Sequence, residues 1–296
     1  GINDSYKKFK NASKDMDIDV ILFPAVRSLD NNIIKTLYGA KQIISGNVLL
    51  SLDSKLDYVL KKGKSFEDAI YPIHKDEKIG DIMFTGGSSG THKGVMLSEN
   101  GLNCVTKSLD YVTELEPGEI FMGNLPTFMA FGKLAMHYAL CKSLNVNLTL
   151  KALPKDFKEE LYRIKPAGVF AGPIQWECFL NSIFGEISNK NEKIDFSLNQ
   201  NTDYIKYLES LKAMLRKADT SKLDLSWLKM GVSGGEQLKM FTELLCSTVF
   251  EELGAPDVLW NGLGMTEMWA PVAVKMGKKN TNGTVGAVIP YNNQMI

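Results

Sequence analysis

Short apolar runs rich in β-branched and aromatic residues alternate along the chain with stretches whose apolar positions recur every three or four residues. The runs predict strands at Val20 to Phe23, Ile82 to Thr85, Ile120 to Gly123, Val146 to Leu150, Gly168 to Ala171, Met230 to Ser233 and Val258 to Trp260. Between them, Leu102, Val105, Leu109 and Val112 make one helical stripe behind Ser98, whose hydroxyl suits an N-cap, and Leu238, Phe241, Leu244, Leu245 and Val249 make another. Both stripes read as core faces. The βαβα alternation predicts an α/β fold with a largely parallel sheet. Residues 185 to 203 and 217 to 226 are polar and flank a helical pattern from Tyr204 to Leu215, which reads as a surface insertion. The segments Gly283 to Gly286 and Pro290 to Asn293 carry no helix or strand pattern.

Composition narrows the function. The 296 residues are 44% hydrophobic and 23% charged, an ordinary globular balance that excludes disorder, collagen and coiled coil. Lysine plus arginine and aspartate plus glutamate number 34 each, without a long basic run, so nothing marks a nucleic-acid or acidic-membrane partner. Cys104, Cys141, Cys178 and Cys246 are far apart with no histidine at ligand spacing, which predicts reduced thiols rather than a disulfide framework or structural zinc. No apolar stretch approaches the ~20 residues of a membrane span. Even Phe128 to Leu144 is interrupted by Lys133, His137 and Lys142, and the polar stretch Gly1 to Lys7 is not expected to be a signal peptide. The expected compartment is the cytoplasm.

After the strand ending at Thr85 comes Gly86-Gly87-Ser88-Ser89-Gly90-Thr91-His92-Lys93-Gly94-Val95. Small residues let successive backbone N–H groups face one concavity, hydroxyls add donors, and lysine supplies a point charge, which is phosphate chemistry. The spacing fits neither a Walker loop nor a dinucleotide fingerprint. The plain alternative is a Gly/Ser surface turn with an incidental lysine. A hydrolase elbow at Ser88 or Ser233 is disfavoured, because the histidines beyond Ser88 come too early and none lies beyond Ser233.

Thr85 to Val95 resembles, in register, the phosphate-loop signature of the acyl-adenylate-forming (AMP-binding) superfamily, which holds acyl-CoA synthetases, luciferases and peptide-synthetase adenylation domains. Three more segments follow in that family's order. Leu125-Pro126-Thr127-Phe128-Met129-Ala130-Phe131-Gly132 is similar to the segment beside the acyl pocket. Ser233-Gly234-Gly235-Glu236-Gln237-Leu238 is similar to the adenine-side turn, and Asn261-Gly262-Leu263-Gly264-Met265-Thr266-Glu267 to the Asn-x-Tyr-Gly-x-Thr-Glu motif. The resemblance runs from about Ile82 to Pro290. It implies stacked sheets with helices in layers (αβαβα).

It also implies roles. Thr85, Ser88, Ser89, Gly90 and Lys93 would hold the ATP phosphates, Thr266 would bond the α-phosphate, and Glu267 would carry Mg²⁺, a hard ion that takes oxygen ligands. Lys93, Thr266 and Glu267 would be the catalytic set. Adenine would lie against Gly234 and Gly235, with Glu236, Gln237, Asn261, Gly262 and Leu263 around it. Phe128, Met129, Phe131, Gly264 and Met265 would line the acyl side. Taken without the resemblance, Glu267 reads as a solvated cap acid and the Phe/Met stripe as core.

His92 stands where the family usually has proline, Met129 where it often has histidine, and Leu263 where a tyrosine often stacks on adenine. Loss of that stack would cost ~1 kcal/mol of nucleotide affinity. The family's later Tyr-x-Thr-Gly-Asp motif and its small C-terminal domain with an essential lysine are not found before Ile296. Residues 1–296 are therefore expected to be the central part of the large domain, poorly active alone. Lys93-Gly94-Val95-Met96-Leu97-Ser98 reads most like fatty-acyl-CoA synthetases. The expected activity is an ATP-dependent carboxylate:CoA ligase for a fatty or other apolar acid, with coenzyme A or a carrier-protein thiol as acceptor. A peptide-synthetase-type adenylation domain and a non-catalytic nucleotide-binding module of the same fold remain the alternatives.

Overall fold

Apolar runs bounded by turn residues become strands, and the three- and four-residue stripes become helices packed on them. The computed structural model describes residues 79–85, 93–149, 153–188, 194, 196, 204–277 and 283–290, together with the backbone at 20–24 and 42–46. The chain divides into two units, residues 1–75 with 87–94 and residues 76–86 with 95–296. In the first, β1 (Val20–Pro24) and β2 (Gln42–Gly46) pair in parallel, Val20 opposite Gln42.

In the second unit, β3 (Ile79–Phe84) and β4 (Gly94–Ser98) pair as a small sheet. The main sheet uses β5 (Ile120–Gly123), β6 (Asn145–Leu148), β7 (Gly168–Ala171), β8 (Met230–Ser233), β9 (Leu259–Met265), β10 (Ala270–Met276) and β11 (Ala287–Val288). Their order is β11-β10-β9-β8-β7-β5-β6. β5 to β9 run parallel, while β10 and β11 are antiparallel additions at one edge.

Five helices join α1 (Glu99–Val112) in this unit: α2 (Ala130–Cys141), α3 (Phe157–Ile164), α4 (Pro173–Ser188), α5 (Tyr204–Lys217) and α6 (Met240–Glu252). Ser98 caps α1, its hydroxyl accepting from the Gly101 N–H at 3.1 Å. Alternation along the strands sorts the core into two faces. Phe121, Phe170, Val232, Trp260 and Val274 pack with α1 and α2, and Met122, Val169, Ala171 and Leu259 pack with α3 to α6.

The α/β class and the parallel sheet agree with the expectation, but the edges do not. β9 extends past Trp260 through Met265, taking in the Asn261 motif, because it pairs with β10 from Trp260 to Met265. β10 left no alternating signal, since it is buried on both faces and interrupted by Pro271 and Lys275. Ala287–Val288, between the two segments that carry no helix or strand pattern, pairs with β10. Among the described residues of the second unit the layers are helices, one seven-stranded sheet and helices.

Candidate functional site

The C-terminal ends of the parallel strands bring several of the expected residues together. Ser233 of β8 lies opposite Asn261 of β9, and Asn261 lies opposite Lys275 of β10. The chain turns just beyond Ser233. The Gly234 N–H donates to the Ala171 carbonyl at 3.2 Å, and Gly235 takes φ +85°, a left-handed conformation that favours glycine. Glu236 and Gln237 follow, both exposed. Asn261 is buried and its Nδ2 donates to the Thr284 carbonyl at 3.2 Å, so this amide ties the 283–290 segment to β9.

From Asn261, β9 rises through half-buried Gly262 to exposed Leu263, Gly264 and Met265. Gly264 faces Pro271 so closely that an added Cβ would stand 2.6 Å from the Ala270 carbonyl carbon. A single 3-10 turn, Thr266–Met268, closes the hairpin to β10, leaving Thr266 half-buried and Glu267 exposed. Glu267 makes no ion pair with another described residue.

The acyl-side residues divide in two. Phe128, 77% exposed, and Met129 stand in the loop before α2. Phe131 instead turns inward: its ring stacks on Phe170 with centroids 5.3 Å apart and abuts Gly234. The segment beside the expected acyl pocket therefore touches the glycine turn directly. Thr85 ends β3 half-buried, and exposed Lys93 belongs to the other unit. Ser88, Ser89 and Gly90, with His92, lie outside the described residues.

Other polar groups had no signal in the sequence pattern. Lys275 and Glu243 of α6 form an ion pair at 2.5 Å with both side chains almost wholly buried, and Glu243 Oε2 also accepts from the Gly283 N–H at 3.0 Å. The Asn124 amide and the Ser233 hydroxyl are buried without a hydrogen-bond partner among the described residues. On α2, His137 sits 2.9 Å from the Thr106 hydroxyl, and burial together with Lys133 holds its imidazole below the ordinary histidine range.

An exposed acid follows a hydroxyl on the tight turn between β9 and β10, and a glycine turn ends the neighbouring parallel strand β8. The AMP-binding enzyme family matches residues 8–296. The chain belongs to that family. It is similar to the probable acyl-activating enzyme 16, chloroplastic, of Arabidopsis thaliana, 24% identical over 256 residues covering 73% of this chain and 34% of that protein. It is also similar to the chloroplastic long-chain-fatty-acid–[acyl-carrier-protein] ligase AEE15 of the same plant, 23% identical over 69% of this chain and 32% of that protein. The chain thus spans about a third of the length of these curated relatives. Its fold matches ATP-bound MatB from Rhodopseudomonas palustris with a TM-score of 0.66 at 15% identity, over 96% of this chain and 48% of the other.

For an AMP-binding enzyme the hairpin turn also makes sense of the metal expectation. Among the described residues no cluster of three His, Cys, Asp or Glu side chains could hold an ion by itself. Mg²⁺ needs no such cluster, because it keeps waters and nucleotide phosphate oxygens and takes only one or two carboxylates. The exposed Glu267 carboxylate fits that requirement. Among the described residues no helix is long and apolar enough to cross a membrane.

Proposed function

We propose that the protein activates an apolar carboxylic acid with ATP. A carboxylate oxygen attacks the α-phosphorus, the bond to the bridging oxygen of pyrophosphate breaks, and acyl-AMP forms. A thiol, of coenzyme A or of a carrier protein, then attacks the acyl carbon, losing its proton as AMP leaves. The observation that carries this reading is the Thr266–Glu267 turn held at the end of β9, the strand that pairs with β8, whose own end is the Gly234–Gly235 turn.

Each residue then has a task. Thr266 donates its hydroxyl to an α-phosphate oxygen, where negative charge builds in the transition state. Glu267 supplies the carboxylate for Mg²⁺, which when bound neutralises the phosphates of the leaving group. Thr85, Ser88, Ser89, Gly90 and Lys93 hold the phosphates by loop N–H groups, hydroxyls and one ammonium. Gly235, with open space where a Cβ would stand, leaves room for a planar base, bordered by the backbone of Gly234 and by Glu236, Gln237, Asn261, Gly262 and Leu263. The exposed side chains of Phe128, Met129, Leu263 and Met265 support an apolar acid, with Phe131 and Gly264 closing the acyl side from within. The acyl-carrier-protein ligase among the relatives supports a thiol acceptor. A cytoplasmic setting belongs to the same reading.

The test is acid-dependent exchange of labelled pyrophosphate into ATP, run with short, medium and long alkanoic acids beside amino acids. Exchange driven by alkanoic acids is expected. Exchange driven only by amino acids would favour a peptide-synthetase-type domain, and ATP binding without exchange would favour a nucleotide-binding module.

A further inference from the structure

Trp269 follows the Thr266–Met268 turn directly and takes φ +59° and ψ +33°. Ala270 behind it takes φ +70°. Two consecutive residues with side chains in the left-handed region are unfavourable on their own, so the surroundings must impose them. The surroundings are visible. The indole is 2% exposed, and its Nε1–H donates at 2.9 Å to the carbonyl of Ser98, the residue that caps α1.

The ring also determines what can stand beneath it. A Cβ at Gly101, in the first turn of α1, would lie 2.9 Å from the indole Cδ1 and 3.2 Å from Nε1, so any side chain there must push the indole aside. On another side the Lys133 ammonium of α2 sits 5.9 Å from the ring centroid and pairs with Asp81 of β3. The Trp269 N–H closes the turn by donating to the Thr266 carbonyl at 3.2 Å. The start of α1 and Lys133 of α2 thus grip one side chain whose backbone is the end of the Thr266–Met268 turn.

We infer that Trp269 is a positioning residue, whose buried indole holds the left-handed exit of the hairpin and thereby fixes where Glu267 is presented. It touches neither nucleotide nor acid. The inference rests on the proposed reading of Glu267 as the Mg²⁺ contact. It does not rest on general packing, because what it fixes is the direction of one carboxylate.

The experiment is isothermal titration of the 296-residue chain with ATP, in excess Mg²⁺ and again in a chelator, alongside thermal midpoints. Wild type, Glu267→Ala, Trp269→Phe, Gly101→Ala and the Glu267→Ala/Trp269→Phe double variant are compared. Phenylalanine keeps an apolar ring but loses the donor, and alanine at 101 displaces the indole without deleting it. If Trp269 positions the carboxylate, Trp269→Phe and Gly101→Ala each weaken Mg·ATP about tenfold, the size of one lost bond to a charged group. Affinity in the chelator stays unchanged, and the double variant binds no worse than Glu267→Ala.

A lowered thermal midpoint with unchanged Mg·ATP affinity in either folded variant would overturn the inference and leave Trp269 as packing. Equal losses with and without Mg²⁺ would overturn it too. If Glu267→Ala binds Mg·ATP like wild type, the reading of the turn itself fails and the inference falls with it, a result distinguishable from a failure confined to Trp269. Should Trp269→Phe not fold, Gly101→Ala decides alone.

Discussion

The tip of the Phe131 ring abuts the backbone at Gly234, where an added Cβ would come within 3.0 Å of Cζ. The two segments assigned to adenine and to acid by motif are therefore one packed unit. Gly234→Val must push the ring off its stack on Phe170 and should destabilise the fold by about 1–3 kcal/mol. A second change, Phe131→Leu, should recover part of that loss. Chemical denaturation of the single and double variants checks both statements.

Lys275 and Glu243 are each other's charge partner in a nearly dry site. Removing one charge strands the other, so Lys275→Met alone should cost about 3–5 kcal/mol. Lys275→Met with Glu243→Leu should cost much less, because no unpaired charge remains. Urea unfolding of the three proteins measures the difference.

Much of the sheet was legible because its strands carry local signals. Ile120–Gly123, Gly168–Ala171 and Met230–Ser233 are short apolar runs bounded by turn residues, and Ser98 announced α1 by its capping chemistry. β10 was not legible, since burial on both faces erases alternation and Lys275 is paired with a residue 32 positions away. The Thr266–Glu267 turn was visible only through resemblance to a family. Phe131 looked like its neighbours Phe128 and Met129, and only the fold turns it inward against Phe170. The Trp269 bond to Ser98 spans 171 residues and leaves no local trace.

His137 gives a pH prediction. Its pKa is lowered in the fold by burial first and by Lys133 second. As pH falls through its ordinary value of about 6.5, the unfolded chain takes up a proton that the folded chain resists. Stability must therefore decline as pH falls below that value. His137→Gln keeps a polar group facing Thr106 without titrating, so its thermal midpoint should fall less between neutral and mildly acid pH. An identical decline in both proteins would assign the effect to other groups.

Gly132 sits where α2 leaves the Leu125–Pro126 segment, and a Cβ there would collide with the Pro126 carbonyl. Gly132→Ala should shift the start of α2, costing about 1–3 kcal/mol. The loop carrying Phe128 and Met129 would move with it. Comparing binding of an alkyl-acyl adenosine sulfamate with that of ATP reads the local effect: the sulfamate should lose more affinity.

The most direct test of the central claim is the thermal midpoint of the protein with Mg·ATP and with a non-hydrolysable acyl-adenosine sulfamate, beside Lys93→Ala and Glu267→Ala. Ligand at about 100 times its dissociation constant should add ~2.7 kcal/mol of stability. A rise in wild type that shrinks in both variants for Mg·ATP is the predicted result. An unchanged midpoint in wild type, or a rise of equal size in all three proteins, would contradict nucleotide binding by the loop lysine and the hairpin glutamate.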